Sequence, residues 1–174
     1  MVALRSCLRG SVSVATLAGA MFLAMPARAE GWLHDGEVGI ATGLEGATPE
    51  GGKLGFRRAR LRVVAGLDLR ADVGESEGMG FRGFVELEDR ATLGGEVRYV
   101  RWAGRHVGAY AGFIGTVTPE TLFGGSVGAR FLIPMGRFAV FLEPSLSALP
   151  LGSDLPKDGP LVWALFSVGG RLGL

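Results

Sequence analysis

The sequence predicts an all-β chain, an eight-stranded antiparallel up-and-down transmembrane β-barrel behind a cleaved secretory signal peptide. Three observations carry that expectation: a charged and apolar alternation over residues 58–70, its recurrence in about eight segments, and an amino-terminal leader. In 58–70 the even positions are Arg58, Arg60, Arg62, Val64, Gly66, Asp68 and Arg70, while the odd ones are Ala59, Leu61, Val63, Ala65, Leu67 and Leu69. The side-chain period is two, so one face is charged and the other wholly apolar. A strand of a soluble protein can read the same way, with its apolar face on a core. Recurrence and surroundings have to decide.

The leader comes first. Arg5 and Arg9 form a basic region, residues 11–25 are a small, apolar run too short to span a bilayer, and Ala27-Arg28-Ala29 is a small-x-small cleavage site. Residues 1–29 are therefore expected to be removed, leaving the barrel at 30–174. Arg5, Arg9 and Arg28 leave with them, which takes the formal charge from +1 to −2 and excludes a basic nucleic-acid binder. The single cysteine, Cys7, is lost too; it precedes the apolar run rather than ending it, which argues against a lipoprotein. Glycine is abundant at 30 residues, and Asn and Gln are absent. From Glu30 onward no stretch approaches the roughly 18 consecutive apolar residues of a membrane helix. Entry into a membrane would have to be as a closed barrel, since only helices and closed barrels satisfy their own backbone in lipid.

The first strand is read at 37–45, with Val38, Ile40, Thr42 and Leu44 on one face and Glu37, Gly39, Ala41, Gly43 and Glu45 on the other. A Gly/Pro-containing loop, 46–52, leads to the second strand, which begins near Leu54 and contains the alternating stretch. After an acidic turn at 71–78, the third strand, 79–89, sets Phe81, Gly83, Val85 and Leu87 against Arg82, Phe84, Glu86 and Glu88. The fourth, 93–102, sets Val97 and Tyr99 against Glu96 and Arg98; Arg101 interrupts its apolar face at the strand end, where a long side chain can snorkel to an interface. The turn at Gly104 opens a fifth strand, 106–117, apolar on both faces and ambiguous in orientation. The sixth, 121–133, opposes Phe123, Val127, Ala129, Phe131 and Ile133 to Gly124, Ser126, Gly128 and Arg130. Pro134-Met135-Gly136 turns into a seventh, 137–146, in which Pro144 predicts a bulge or the end of regular pairing. A loop at 148–160 precedes the last strand, 161–174.

The polar faces collect eight bases, Arg58, Arg60, Arg62, Arg70, Arg82, Arg98, Arg130 and Arg171, and seven acids, Glu37, Glu45, Asp68, Glu86, Glu88, Glu96 and Glu143. A solvated face needs no such balance and no glycine or serine between its charges; a narrow lumen needs both. An eight-stranded tube is just wide enough to be filled by side chains. The expected lumen charge network is Arg58, Arg60, Arg62, Asp68, Arg82, Glu86, Glu88, Glu96, Arg98, Arg130, Glu143 and Arg171. The competing assignment is a soluble periplasmic lipid-binding barrel, with Leu61, Val63 and Leu67 lining a cavity.

The carboxyl terminus adds a motif. Ser167, Gly169, Leu172 and Leu174 fit polar, x, Gly, x, x, large apolar, x, apolar, which resembles the assembly signal of outer-membrane barrels, although that family usually carries an aromatic where Leu172 or Leu174 stands. On this ground the chain resembles, in architecture, the small eight-stranded barrels of the OmpA transmembrane domain and OmpX type. The resemblance implies an outer-membrane protein of a Gram-negative envelope with a plugged interior. Its expected partners are outer-membrane lipid, lipopolysaccharide and, during insertion, the barrel-assembly machinery, the barrel itself being a monomer.

Chemistry is sparse. From Glu30 onward the histidines are His34 and His106, with no cysteine, so no metal cluster is visible and no cofactor is expected. His106-Val107-Gly108 does not match the His-x-Ser pair of lipid-trimming barrel enzymes, and no serine lies near it for a triad. Glu86 and Glu88 read as salt-bridge partners rather than an acid/base pair. The expected role is non-enzymatic, structural or surface-interacting; a narrow anion-conducting pore past Arg58, Arg60 and Arg62 is the second possibility.

Overall fold

The structure, a computed structural model, describes residues 33–47, 55–70, 76–87, 91–153, 155 and 159–173. The expected signal peptide, Glu88 and Leu174 lie outside them.

Eight strands follow one another: β1 Leu33–Ala47, β2 Gly55–Arg70, β3 Glu77–Glu86, β4 Leu93–Ala103, β5 Val107–Thr118, β6 Leu122–Met135, β7 Phe138–Gly152 and β8 Leu161–Gly173. Each pairs antiparallel with its sequence neighbours, and β1 also pairs with β8, so the sheet closes into a barrel. Closure leaves no strand edge unpaired. In β1, Ile40 stands opposite Val63 of β2 on one side and Val168 of β8 on the other. Both termini of the barrel lie at one end, the near end, together with two tight turns. Gly104 and Gly136 take φ of +81° and +70° in those turns, a left-handed backbone that costs glycine nothing.

The alternation of the sequence maps onto the two sides of the wall. Val38, Ile40, Leu61 and Phe166 point outward and are 50%, 52%, 41% and 47% exposed, whereas Arg60 is 1% and Glu45 0% exposed. Arg101, the charge that interrupts an apolar face, stands exposed at the near end directly across from Glu77. In the fifth strand the ambiguity resolves by size and burial: Tyr110, Ile114 and Thr116 turn inward and are buried, and Phe113 and Val117 turn outward.

Inward glycines make room for the large side chains of neighbouring strands. The ring of Phe141 lies where Gly39 would carry a Cβ, 2.9 Å from that point, and the same ring lies 2.7 Å from the corresponding point of Gly169. Tyr110 fills the space beside Gly128, and Arg98 the space beside Gly80 and Gly112. At these positions glycine lets large ions and rings pack into a narrow tube.

Some boundaries differ from the expectation. β1 starts at Leu33 rather than at 37, and β7 runs on to Gly152, so the predicted 148–160 loop loses its first five residues to the strand. Pro144 neither ends its strand nor bulges it. Ordered pairing with β8 continues through Pro144↔Phe166, while the β6 ladder skips Ala129 and Arg130 and resumes in the same register at Gly128↔Ser145. A proline that lacks an N–H costs one rung and leaves the strand intact when its ring faces outward. The irregularity in β7 falls instead across from the 123–125 stretch, where the pairing passes from Leu151 to Ala148.

Val63 sits midway along the wall and Leu67 four residues nearer one end. In folding titrations into lipid vesicles, Val63→Arg is expected to cost about 2–4 kcal/mol, with a smaller cost for Leu67→Arg because the penalty falls toward the interface. Val64→Thr, on the inner side, should cost less than Val63→Arg; equal tolerance of both faces would contradict the assignment.

Candidate functional site in the barrel interior

The interior is built in layers. The largest is a central ion cluster to which every strand contributes one side chain: Glu37 from β1, Asp68 from β2, Arg82 from β3, Arg98 from β4, Tyr110 from β5, Arg130 from β6, Glu143 from β7 and Arg171 from β8. Arg82 places Nη2 2.7 Å from Glu37 and Nη1 2.5 Å from Glu143. Arg98 reaches three carboxylates, Glu37 at 3.0 Å, Asp68 at 3.1 Å and Glu143 at 3.2 Å. Arg130 also reaches three: Glu37 at 2.7 Å, and Asp68 and Glu143. Tyr110 donates its hydroxyl to Glu143 at 3.2 Å, and Arg171 approaches Asp68 at 3.5 Å. All eight side chains are buried.

Arginine suits this place because its planar fork donates to two or three carboxylates at once. Phe141 lies 5.1 Å from the Arg130 guanidinium and 5.8 Å from that of Arg82, so the cations rest on an aromatic face where they have no carboxylate. Losing one partner of such a set leaves an uncompensated buried charge, at roughly 3–5 kcal/mol.

Toward the far end, away from the termini, a second cluster forms around Glu45. Arg60 donates Nε to Glu45 at 2.8 Å and reaches Glu86 with Nη1, and Arg62 donates Nε to Glu86 at 2.8 Å. The indole of Trp163 donates to Glu45 at 2.8 Å and stacks on both guanidiniums, Arg60 at 4.3 Å and Arg62 at 4.2 Å. A register shift in β2 beside Glu45 brings consecutive arginines, Arg57 and Arg58, to the same carboxylate at 3.3 Å each. Arg58 also meets Glu120 at 3.4 Å. Beyond this cluster, buried Leu122, Leu149 and Leu161 close the far end with apolar bulk.

At the near end, Asp35 accepts from Arg70 at 3.4 Å and from Arg171, tying β1, β2 and β8 together. Trp102 stacks on both cations, 4.8 Å from Arg70 and 5.0 Å from Arg171.

Of the predicted network, Asp68, Arg82, Arg98, Arg130, Glu143 and Arg171 meet in the central cluster, and Arg58, Arg60, Arg62 and Glu86 in the far one. Glu96 stands apart. It accepts from Ser126 at 2.5 Å, and no ion pair joins it among the described residues. Glu37, Glu45 and Arg70 stood on the predicted polar faces and belong to these sets as well. Asp35, Tyr110, Trp102 and Trp163 were not singled out from the sequence; the visible signal was a tryptophan on a charged face, as at Trp163. In the carboxyl-terminal motif, Ser167 is buried, Gly169 packs against Phe141, and Leu172 points outward.

The arrangement holds charges against one another and presents no nucleophile with a base. His106 lies exposed in the turn before β5, and among the described residues no group of three or more His, Cys, Asp or Glu is placed to hold a metal ion.

No family model matches the sequence, and no curated protein does. Among solved structures, Ail, the attachment invasion locus protein of Yersinia pestis, in complex with the heparin analogue sucrose octasulfate, aligns with a TM-score of 0.51 and 12% identity, covering 80% of this chain and 99% of that one. The fold is that of a small outer-membrane barrel. Another structure of Ail aligns with a TM-score of 0.36 and 13% identity over 79% of this chain and 98% of its own. At such identity the likeness is one of architecture, an eight-stranded barrel of OmpA and OmpX type.

Glu143 serves three arginines and a tyrosine, whereas Arg58 is half-exposed. Glu143→Gln should therefore lower unfolding free energy by about 3–5 kcal/mol, and Arg58→Gln by no more than about 1 kcal/mol, in urea titrations of the lipid-reconstituted barrel.

Proposed function

We propose that this chain is an integral outer-membrane β-barrel with a closed, charge-filled lumen and a non-enzymatic structural or surface-interaction role. The observation that carries this reading is the inversion of the wall: Arg60, Arg98, Arg130, Glu37 and Glu143 are buried, while Ile40, Leu61, Phe81, Phe131 and Phe166 are exposed. In water that arrangement would leave a large apolar surface unsatisfied. In a bilayer it is the required one.

On this reading the leader directs export, the near end faces the periplasm, and the far-end loops face outward. The outward faces meet lipid and lipopolysaccharide, and the motif of Ser167, Gly169, Leu172 and Leu174 is read by the barrel-assembly machinery. The barrel is a monomer, because its closed sheet offers no edge to a second copy. Ail was solved with a heparin analogue bound; here a surface interaction would fall to the far-end loops and to Arg57 and Arg58, which open toward that end.

A narrow anion path is less well supported, since Arg60 and Arg62 are held by Glu45, Glu86 and Trp163 instead of lining open space. A soluble lipid-binding barrel would need the opposite inversion.

Fractionated envelopes should place the mature protein in the outer membrane, extractable only with detergent, and its gel migration should change on boiling. Recovery in the periplasmic extract would overturn the membrane reading. Planar bilayers containing the purified protein should show no discrete channel openings; regular unitary conductance would restore the pore.

A further inference from the structure

Between the central and far-end clusters the lumen keeps a cavity of about 20 Å³, bordered by Arg62, Phe84, Glu96, Ser145, Ser147 and Ser167. Two charged groups at its border have unfilled hydrogen-bonding capacity. Glu96 is buried and takes one hydrogen bond, from Ser126. Arg62 is 2% exposed, lies between the rings of Phe84 and Trp163 at 4.4 and 4.2 Å, and donates Nε to Glu86. Its Nη2 is buried with no acceptor. Leaving a buried donor unmatched forfeits the hydration it had in water, and the penalty is greater when the donor is charged.

We propose that this cavity is a binding site for one internal water molecule, which accepts from Arg62 Nη2 and donates to Glu96, with serine hydroxyls as its remaining partners. Size permits it, because a single water needs about 10–15 Å³ and two to four polar partners. Charge selects it. A halide drawn to Arg62 and Arg82 would also face the Glu96 carboxylate, and a sodium ion drawn to Glu96 would also face the two guanidiniums, so neither sign of charge suits the cavity. A neutral molecule that both donates and accepts satisfies the two sides together. The water joins the far-end cluster to Glu96 and Ser126 in a waist otherwise formed by Val64, Phe84, Ile114 and Leu165.

The test is a crystal structure of the detergent-solubilised mature protein, with a second crystal soaked in sodium bromide. The expected result is one solvent peak about 2.7–3.2 Å from Arg62 Nη2 and from a Glu96 oxygen, without bromine anomalous signal. An anomalous peak at that position, or Glu96 bonded directly to Arg62 with no solvent between them, would overturn the proposal. In solution, oxygen-17 relaxation dispersion counts long-lived internal waters in protein-loaded micelles. Ser147→Val, which fills the cavity with a methyl group, should show one fewer than the native protein, and an unchanged count would also overturn it. Ser167→Val provides the same comparison where Ser147→Val does not fold.

Discussion

A wall one strand thick cannot hide a charge from both of its sides. If the outer side meets hydrocarbon, the ions along the middle of the strands must turn inward, and the interior must then neutralise itself. The central cluster meets that demand by taking one side chain from each of the eight strands. An ion set of this kind need not add net stability compared with a well-packed apolar filling, because desolvation offsets much of the attraction. Its distinct contribution is to register. Sliding any strand by one residue would carry its arginine, carboxylate or, in β5, tyrosine to the outer side and an outward apolar residue inward, and would strand the partners it left. Closing the barrel and pairing the charges are therefore one condition, met together or not at all.

The same narrowness explains the rest of the filling. Guanidiniums and rings occupy the tube in layers, with glycine beside several of the large groups, as Gly128 is to Tyr110 and Gly39 to Phe141. The layers differ in character. The near end is a single carboxylate, Asp35, gripped by two arginines that stack on Trp102. The far end is apolar, with Leu122, Leu149 and Leu161 above Trp163. Tryptophan is the natural bridge between an ionic layer and an apolar one, since its N–H serves Glu45 while its face serves Arg60 and Arg62.

The sequence made the wall legible and the interior only partly so. Over residues 58–70 every odd position is apolar and every charge falls on an even one, so the faces of β2 could be assigned by parity alone. Parity fails where both faces are apolar, and β5 was unreadable for that reason until Tyr110 and Ile114 were seen against the core. It also fails at a strand's first turn: His34, Asp35 and Gly36 carry no periodic signal, so Asp35 went unassigned although it closes the near end. Partner choice was hidden altogether. Which arginine meets which carboxylate depends on strand tilt and stagger, properties of the closed sheet that no single strand encodes. Hence eight bases and seven acids could suggest balance, but not that Glu96 would lie outside the ion pairs. Pro144 marks a local gap in the β6 ladder rather than a bulge or a strand end, because the missing N–H affects pairing on one side while the β8 ladder holds the strand in register.

These features also account for a likeness of fold at 12% identity. In the proposed membrane setting the outer face asks only for apolar side chains at alternate positions, and lipid, being fluid, imposes no shape on them. The inner face asks for charge balance and volume, which many combinations of arginine, carboxylate, ring and glycine can provide. Neither demand fixes a particular residue, so sequences can drift far apart while strand number and closure persist. What such drift leaves free to specialise is the surface outside both constraints, the far-end loops and the rim where Arg57 and Arg58 emerge beside Glu45. On the membrane reading proposed above, that rim is where an individual role of this protein would lie.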